Sequence, residues 1–230
     1  IAEEDFTGLM SAAKATGREV EDIEVEIAKY AKGLSAQFGL NSKLISRDMG
    51  KAMKDVKHFA NSTVQEIAKA STYAHGLGLE LKDITGVLDA FNTFDQAAEN
   101  VSKLSQAFGV NIDTMKLLEA KTPDDALAML KDSLAAAGKS ADSMNRQELQ
   151  LLASTVGMSE EAVRQSFSLK NQGIAHNKVT QAAKGLEAQS MSTSEAISTM
   201  TNDIVRAVKA GPTPESNSLW GMFFDGFLQG

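Results

Sequence analysis

Cysteine is absent from the 230-residue chain, which excludes disulfides, thiol nucleophiles, zinc fingers and cysteine-ligated iron–sulfur clusters. Proline occurs three times, tyrosine twice and tryptophan once, and aromatic residues make up 6%, almost all of them Phe. With strand formers scarce and alanine abundant, an all-β protein is excluded. Basic residues are outnumbered, and the net charge of −7 argues against a general nucleic-acid binder, because phosphate binding needs a basic surface. No apolar run reaches the ~18 residues of a membrane span, and no signal peptide is visible. Residue 1 is Ile, so the chain reads as a processed product or a piece of something longer. What is present, 43% hydrophobic and 23% charged residues, is the composition of a folded chain. The length suits one large domain or two small ones.

The expected fold is all-α without a sheet: a succession of short helices with glycine corners and a coiled-coil-like helix at the N-terminus. One stop–start device recurs at Phe38-Gly39-Leu40-Asn41, Leu77-Gly78-Leu79-Glu80, Phe108-Gly109-Val110-Asn111 and Val156-Gly157-Met158-Ser159. Gly takes the left-handed conformation after a last helical turn, and the apolar residue behind it packs back on the finished helix. Asn41, Asn111 and Ser159 are placed to cap the next helix. Thr122-Pro123-Asp124-Asp125 supplies a cap, a first-turn proline and two acids, and Asn145 with Glu148 forms a capping-box pattern. Helices are expected near 4–16, 18–38, 42–60, 63–76, 81–92, 94–108, 112–120, 123–137, 145–156, 159–171, 173–189 and 193–209. The organisation reads as an acidic helical segment over 1–38, a multi-helix segment over 39–171, amphipathic helices over 172–211 and a proline-initiated apolar tail over 212–230.

Two stretches point to partners. Phe6, Leu9, Ala13, Thr16, Val20, Ile23, Ile27, Tyr30 and Leu34 alternate spacings of three and four, a heptad seam about 43 Å long at 1.5 Å per residue. A monomer does not easily bury so narrow a stripe, so a homo-oligomer is expected, a trimer favoured. Residues 1–30 carry 8 acidic and 3 basic side chains, and residues 31–58 carry 2 acidic and 6 basic. The acidic helix is therefore expected to face a basic partner, either the Lys43–Lys54 helix of the same chain or that of a neighbouring copy. In the tail, Trp220, Met222, Phe223, Phe224 and Phe227 form a stretch too short to cross a bilayer and too apolar for a free end. It is expected to dock on another chain; the alternatives are a fold-back on its own helices and contact with a membrane surface.

No catalytic or metal constellation stands out, and no cofactor is expected. His58, His75 and His176 share no helical spacing and read as ordinary surface or half-buried histidines. His75-Gly76-Leu77-Gly78 begins like a phosphate-binding fingerprint but lacks the third glycine and a preceding strand, so it reads as a helix end. Ser11-Ala12-Ala13-Lys14 matches a Ser/Lys acylase pattern without its companion motifs. The sequons at Asn61 and Asn100 read as coincidental. The ten methionines, Met49, Met53, Met115, Met129, Met144 and Met200 among them, read as core filling.

The phrases over 38–171 carry a resemblance. They run from Phe38-Gly39-Leu40-Asn41-Ser42-Lys43 through Tyr73-Ala74-His75-Gly76-Leu77-Gly78-Leu79-Glu80 and Phe91-Asn92-Thr93-Phe94-Asp95. They continue with Leu104-Ser105-Gln106-Ala107-Phe108-Gly109-Val110-Asn111 and end at Leu151-Leu152-Ala153-Ser154-Thr155-Val156-Gly157-Met158-Ser159-Glu160-Glu161. This resembles the helical segments of tail tape measure proteins of large tailed bacteriophages, with their Ala-rich helices, apolar-Gly-apolar corners and Phe-x-x-Phe-Asp/Glu junction. The resemblance implies a structural virion protein in the lumen of the tail tube, which helps set tail length, contacts tube and baseplate hub proteins, and leaves ahead of the DNA toward the host envelope. It implies no catalytic residue and no enzymatic activity. A ruler needs uninterrupted helix, and this chain has a breaker every ~10–20 residues, so the segment reads as a folded end of a longer tape measure. The alternatives are another tail or baseplate hub adaptor and, less favoured, an envelope-degrading enzyme domain.

Overall fold

A computed structural model describes residues 10, 13, 17–169 and 173–189. The described residues form helices and turns and no strand, as expected of an all-α chain. In chain order these are α1 (Val20–Phe38), α2 (Ser42–Ala52), α3 (Val56–Phe59), α4 (Val64–Gly76), a 3₁₀ turn (Leu81–Asp83), α5 (Gly86–Ala90), α6 (Phe94–Phe108), α7 (Thr114–Leu118), α8 (Pro123–Ala136), α9 (Arg146–Val156) and α10 (Glu160–Phe167). A last helix, α11, covers 176–189. The chain divides into two compact units, Ile1–Leu186 and Glu187–Gly230, and the description below concerns the first.

α4 is the hub of this unit. Nine of its thirteen residues are buried, and most of those are small: Ala68, Ala70, Ser71, Thr72 and Ala74. Small side chains let three helices approach one, and α4 packs against α1, α2 and α8. α5 packs on α8 and α9, and α9 packs on α6 and α10. One apolar core runs from α1 to α11.

This packing corrects the reading of the N-terminal seam. The stripe is not one helix, because Gly17 sits at φ +66° and α1 begins three residues later. From there Ile23, Ile27, Tyr30 and Leu34 are buried, with Val20 partly so, where α1 packs on α2 and α4 of the same chain. A three-four apolar spacing specifies a buried helix face and is silent on whether the cover comes from the same chain. Among the described residues, α1 shares the core of the helices that follow. Phe6 and Leu9 lie outside the described residues, as do helix 193–209 and the tail residues Trp220, Met222, Phe223, Phe224 and Phe227.

The acidic helix does lie against the basic one, and what joins them is apolar. Ile45 and Met49 of α2 are fully buried, while Glu26 pairs with Arg18 at 2.7 Å and Arg47 turns to Glu80 at 3.1 Å.

The four glycine corners form as expected, with Gly39, Gly78, Gly109 and Gly157 all at positive φ. In three of them the next residue donates its N–H five residues back, from Leu40 to Ser35, Leu79 to Ala74 and Met158 to Ala153, the bond that satisfies an orphan carbonyl at a helix end. Asn41 and Ser159 cap as expected. Asn111 does not: the cap of α7 is Asp113, which accepts from the N–H groups of Met115 and Lys116. The expected helix over 42–60 divides at Asp55, which caps α3, and that over 81–92 divides into a 3₁₀ turn and α5.

Gly157 has a second role. A Cβ on Gly86 would lie 1.9 Å from the Gly157 carbonyl oxygen, and a Cβ on Gly157 would lie 2.6 Å from that of Gly86. The start of α5 and the corner after α9 thus touch backbone to backbone, and two glycines are required for the contact.

Candidate functional site

The central position of α4 raises an electrostatic problem. Lys69 lies on it with a side chain only 11% exposed, and an ammonium group is tolerated there only if paired. The partners come from the start of α8. Lys69 donates to Asp125 Oδ1 at 2.7 Å and lies 3.4 Å from Asp124 Oδ2, while Thr122 Oγ1 donates to Asp125 Oδ2 at 2.6 Å. The second basic group arrives from far along the chain: His176 Nε2 at the start of α11 is 2.8 Å from Asp124 Oδ2 and 3.3 Å from Asp125 Oδ1. Asp124 is fully buried. The His176 and Tyr73 rings meet edge to face, centroids 5.0 Å apart.

The titration of this cluster follows from its geometry. Burial works against charge on His176, but hydrogen bonds to Asp124 and Asp125, and their negative charges, outweigh it and push the imidazole up to about 9. The same contest leaves Lys69 raised and Asp125 held well below the usual carboxylate range. Burial pushes the Tyr73 hydroxyl up, with Asp124 and Asp132 adding to it. Two carboxylates thus face two basic groups, Lys69 and His176.

Among the described residues, Asp124, Asp125 and His176 are also the trio whose ligand atoms lie close enough together to hold a metal ion. The Lys69 ammonium already stands between the two carboxylates at hydrogen-bonding distance. A divalent cation would meet that charge, so Lys69 does the work a metal would do, and the trio is a salt-bridge network.

The other two histidines repeat the theme. His75, in the last turn of α4, lies 3.1 Å from Asp48 Oδ2 of α2, and Leu81 N–H donates to the same oxygen at 3.0 Å. Burial raises Asp48, but the hydrogen bonds from His75 and the Leu81 amide, with the charges of His75 and Arg47, hold it below its ordinary value. His58 on α3 bonds through Nδ1 to Asp55 at 2.6 Å, and its Nε2 lies 3.3 Å from Asp89 on α5. Each histidine therefore joins an aspartate contributed by another helix. Sequence reasoning found the residues and their half-burial but not this pairing, since the sequence separations within the pairs are 27, 31 and 52 residues and follow no local period. The one signal at hand was the pair of first-turn acids at Asp124-Asp125, which dipole stabilisation already explained.

Two clefts adjoin these elements. One, about 190 Å³, is lined by Lys57, His58, Asp89, Asn92 and Lys121 with apolar neighbours, and another, about 200 Å³, by Lys131, Lys139 and Phe167 among others. Both fall below the ~300 Å³ at which small-molecule pockets usually begin. The His75-Gly76-Leu77-Gly78 phrase is the C-terminus of α4, as expected. Ser11, Ala12 and Lys14 lie outside the described residues, as does Met200. Asn100 donates to the Ala90 carbonyl at 2.7 Å. Met49 and Met144 are buried and Met53 and Met129 pack on the core, whereas Met10 and Met115 are exposed, which corrects the core-filling reading for these two.

Compared with family models, curated proteins and solved structures, the chain matches none.

Proposed function

We propose that this chain is a structural segment of a tail tape measure protein of a large tailed bacteriophage, acting by helix packing and not by catalysis. The observation that carries the reading is the run of phrases from Phe38 to Glu161, which resembles that family in wording and order. Those phrases have physical roles here: three are left-handed glycine corners with the following apolar residue buried at Leu79, Val110 and Met158, and Phe91-Asn92-Thr93-Phe94 is the junction where Thr93 caps α6. A helical unit closed on its own core suits a folded end of such a protein better than its ruler.

On this reading the chain belongs in the lumen of the tail tube or at the baseplate, with tube and hub proteins as partners. The 212–230 tail is the docking element, or the part that meets the host membrane on ejection. The trimer expected from the 6–34 stripe loses its seam from residue 20 onward and is not carried forward. The test is to find the chain's peptides in purified virions and to place them by electron cryomicroscopy. Density in the tail lumen, within a longer polypeptide with long heptad stretches, supports the reading. Absence from the particle overturns it. So does peptidoglycan cleavage by the purified protein that is lost on changing one acidic residue.

A further inference from the structure

The stretch 173–186 is attached to the rest of the unit in an unusual way. It contributes few large apolar residues: Val179, Ala182 and Ala183 are buried, and Ile174 and Leu186 are partly so. Its points of seating are glycines. The Ile174 side chain stands where a Cβ on Gly76 would be, 2.8 Å from that position, and the Leu186 side chain stands 2.7 Å from where a Cβ on Gly33 would be. Gly173, at φ +53°, passes the end of α4 so closely that its own Cβ would be 2.8 Å from the Gly76 carbonyl oxygen. The polar anchor is His176 on Asp124 and Asp125. Besides those two, the charged and titratable groups around the anchor are Lys69 and Tyr73 of α4, with Lys131 and Asp132 of α8 behind Tyr73. Lys178 follows on α11 itself.

We infer that residues 173–186 form a detachable clasp, latched by His176 in the Asp124–Asp125 seat, which opens as a local unit while α1 to α10 remain folded. Three observations combine. A helix of this length is marginal by itself in water. Its apolar cover is one buried valine, two buried alanines and parts of an isoleucine, Ile174, and a leucine, Leu186, against a core elsewhere built on fully buried Leu, Ile and Met. And its seat keeps a cation without it: Lys69 and Thr122 remain on Asp125 and Lys69 remains 3.4 Å from Asp124, so Asp124 gives up its hydrogen bond to His176 but not its counter-charge when the clasp lifts. Elements with few buried apolar contacts are those that open below the global unfolding free energy. The glycines at 33 and 76 then floor a helix-sized groove on α1 and α4, and the clasp is its occupant.

Amide hydrogen exchange read by mass spectrometry on the full chain tests this. Residues 176–186 are compared with 64–76 of α4, with rates corrected for intrinsic exchange at each pH. The expected result is protection of the clasp well below that of α4 in the wild type. His176→Gln removes a charged hydrogen bond and lowers clasp protection by about tenfold while α4 changes by less than about twofold. Leu186→Ala, which touches no charge, weakens the clasp with the same spatial pattern. Wild-type clasp protection falls between pH 7 and pH 10, and that of His176→Gln does not. The inference is overturned if clasp and α4 exchange with one protection factor, if His176→Gln lowers both equally, or if it lowers neither.

Discussion

Replacing Gly86 by Ala isolates the backbone contact that joins α5 to the α9 corner. Gly86 is the first residue of α5 and is not among the glycines at positive φ. On local grounds alanine should therefore help, by up to about 1 kcal/mol of helix propensity. The tertiary contact reverses the sign. A Cβ there would stand 1.9 Å from the Gly157 carbonyl oxygen and 2.8 Å from its carbon. Both atoms are backbone, so no side chain can rotate away, and reaching ordinary contact at 3.4 Å requires the two segments to part by more than an ångström. Overpacking of this kind costs about 1–3 kcal/mol and occasionally more, and with no flexible atom to yield we expect about 3 kcal/mol or above. Gly109→Ala is the control. Gly109 also ends a helix at φ +66° but has nothing within 4 Å of its would-be Cβ, so it bears only the left-handed penalty of about 1–2 kcal/mol. Urea unfolding followed by circular dichroism at the helix band reads both. With a slope of about 2 kcal/mol per molar, Gly86→Ala lowers the midpoint by roughly 1.5 M and Gly109→Ala by less than about 1 M. If Gly86→Ala unfolds at or above the midpoint of Gly109→Ala, the backbone contact does not constrain the fold and the reasoning fails.

Other expectations concern charge and cover. Lys69→Met leaves two carboxylates in the α4–α8 interface with only His176 opposite, and urea unfolding at pH 7 should show a loss of about 3–5 kcal/mol; no loss would mean that the pairing is idle. His176, raised to about 9 in the folded chain, contributes stability that is fully present below its ordinary value near 6.5 and is lost as pH rises through about 9. For a partly exposed ring this is of order 1–2 kcal/mol after solvent screening. A wild-type profile over pH 6.5–10 that matches His176→Gln counts against it. Asp48→Asn weakens the acceptor shared by His75 and the Leu81 amide and should cost about 1–3 kcal/mol by thermal unfolding. Ile27→Asp places a charge in the α1 face and should unfold the chain; a folded variant that differs only in sedimenting as a smaller species would restore the oligomer seam.

How far the sequence reached can be judged residue by residue. Composition and period determined the all-α class, because helix propensity and apolar spacing are properties of a single segment. The glycine corners and most caps were legible for the same reason: a left-handed Gly39 or an Asn145–Glu148 box is satisfied within half a dozen residues of itself. Asn111 was misassigned locally, since two candidate caps, Asn111 and Asp113, stand within one turn and α7 starts after the second. The partner of the 20–34 face was not legible, because Ile23, Ile27, Tyr30 and Leu34 state that they must be covered but not by what. The tertiary structure decided that α2 and α4 cover them. It alone also decided that Gly86 meets Gly157, and that Lys69, Asp124, Asp125 and His176 share one seat. Contacts between segments tens of residues apart leave no period in the chain. They exist only once the small side chains of α4 have let its neighbours close around it.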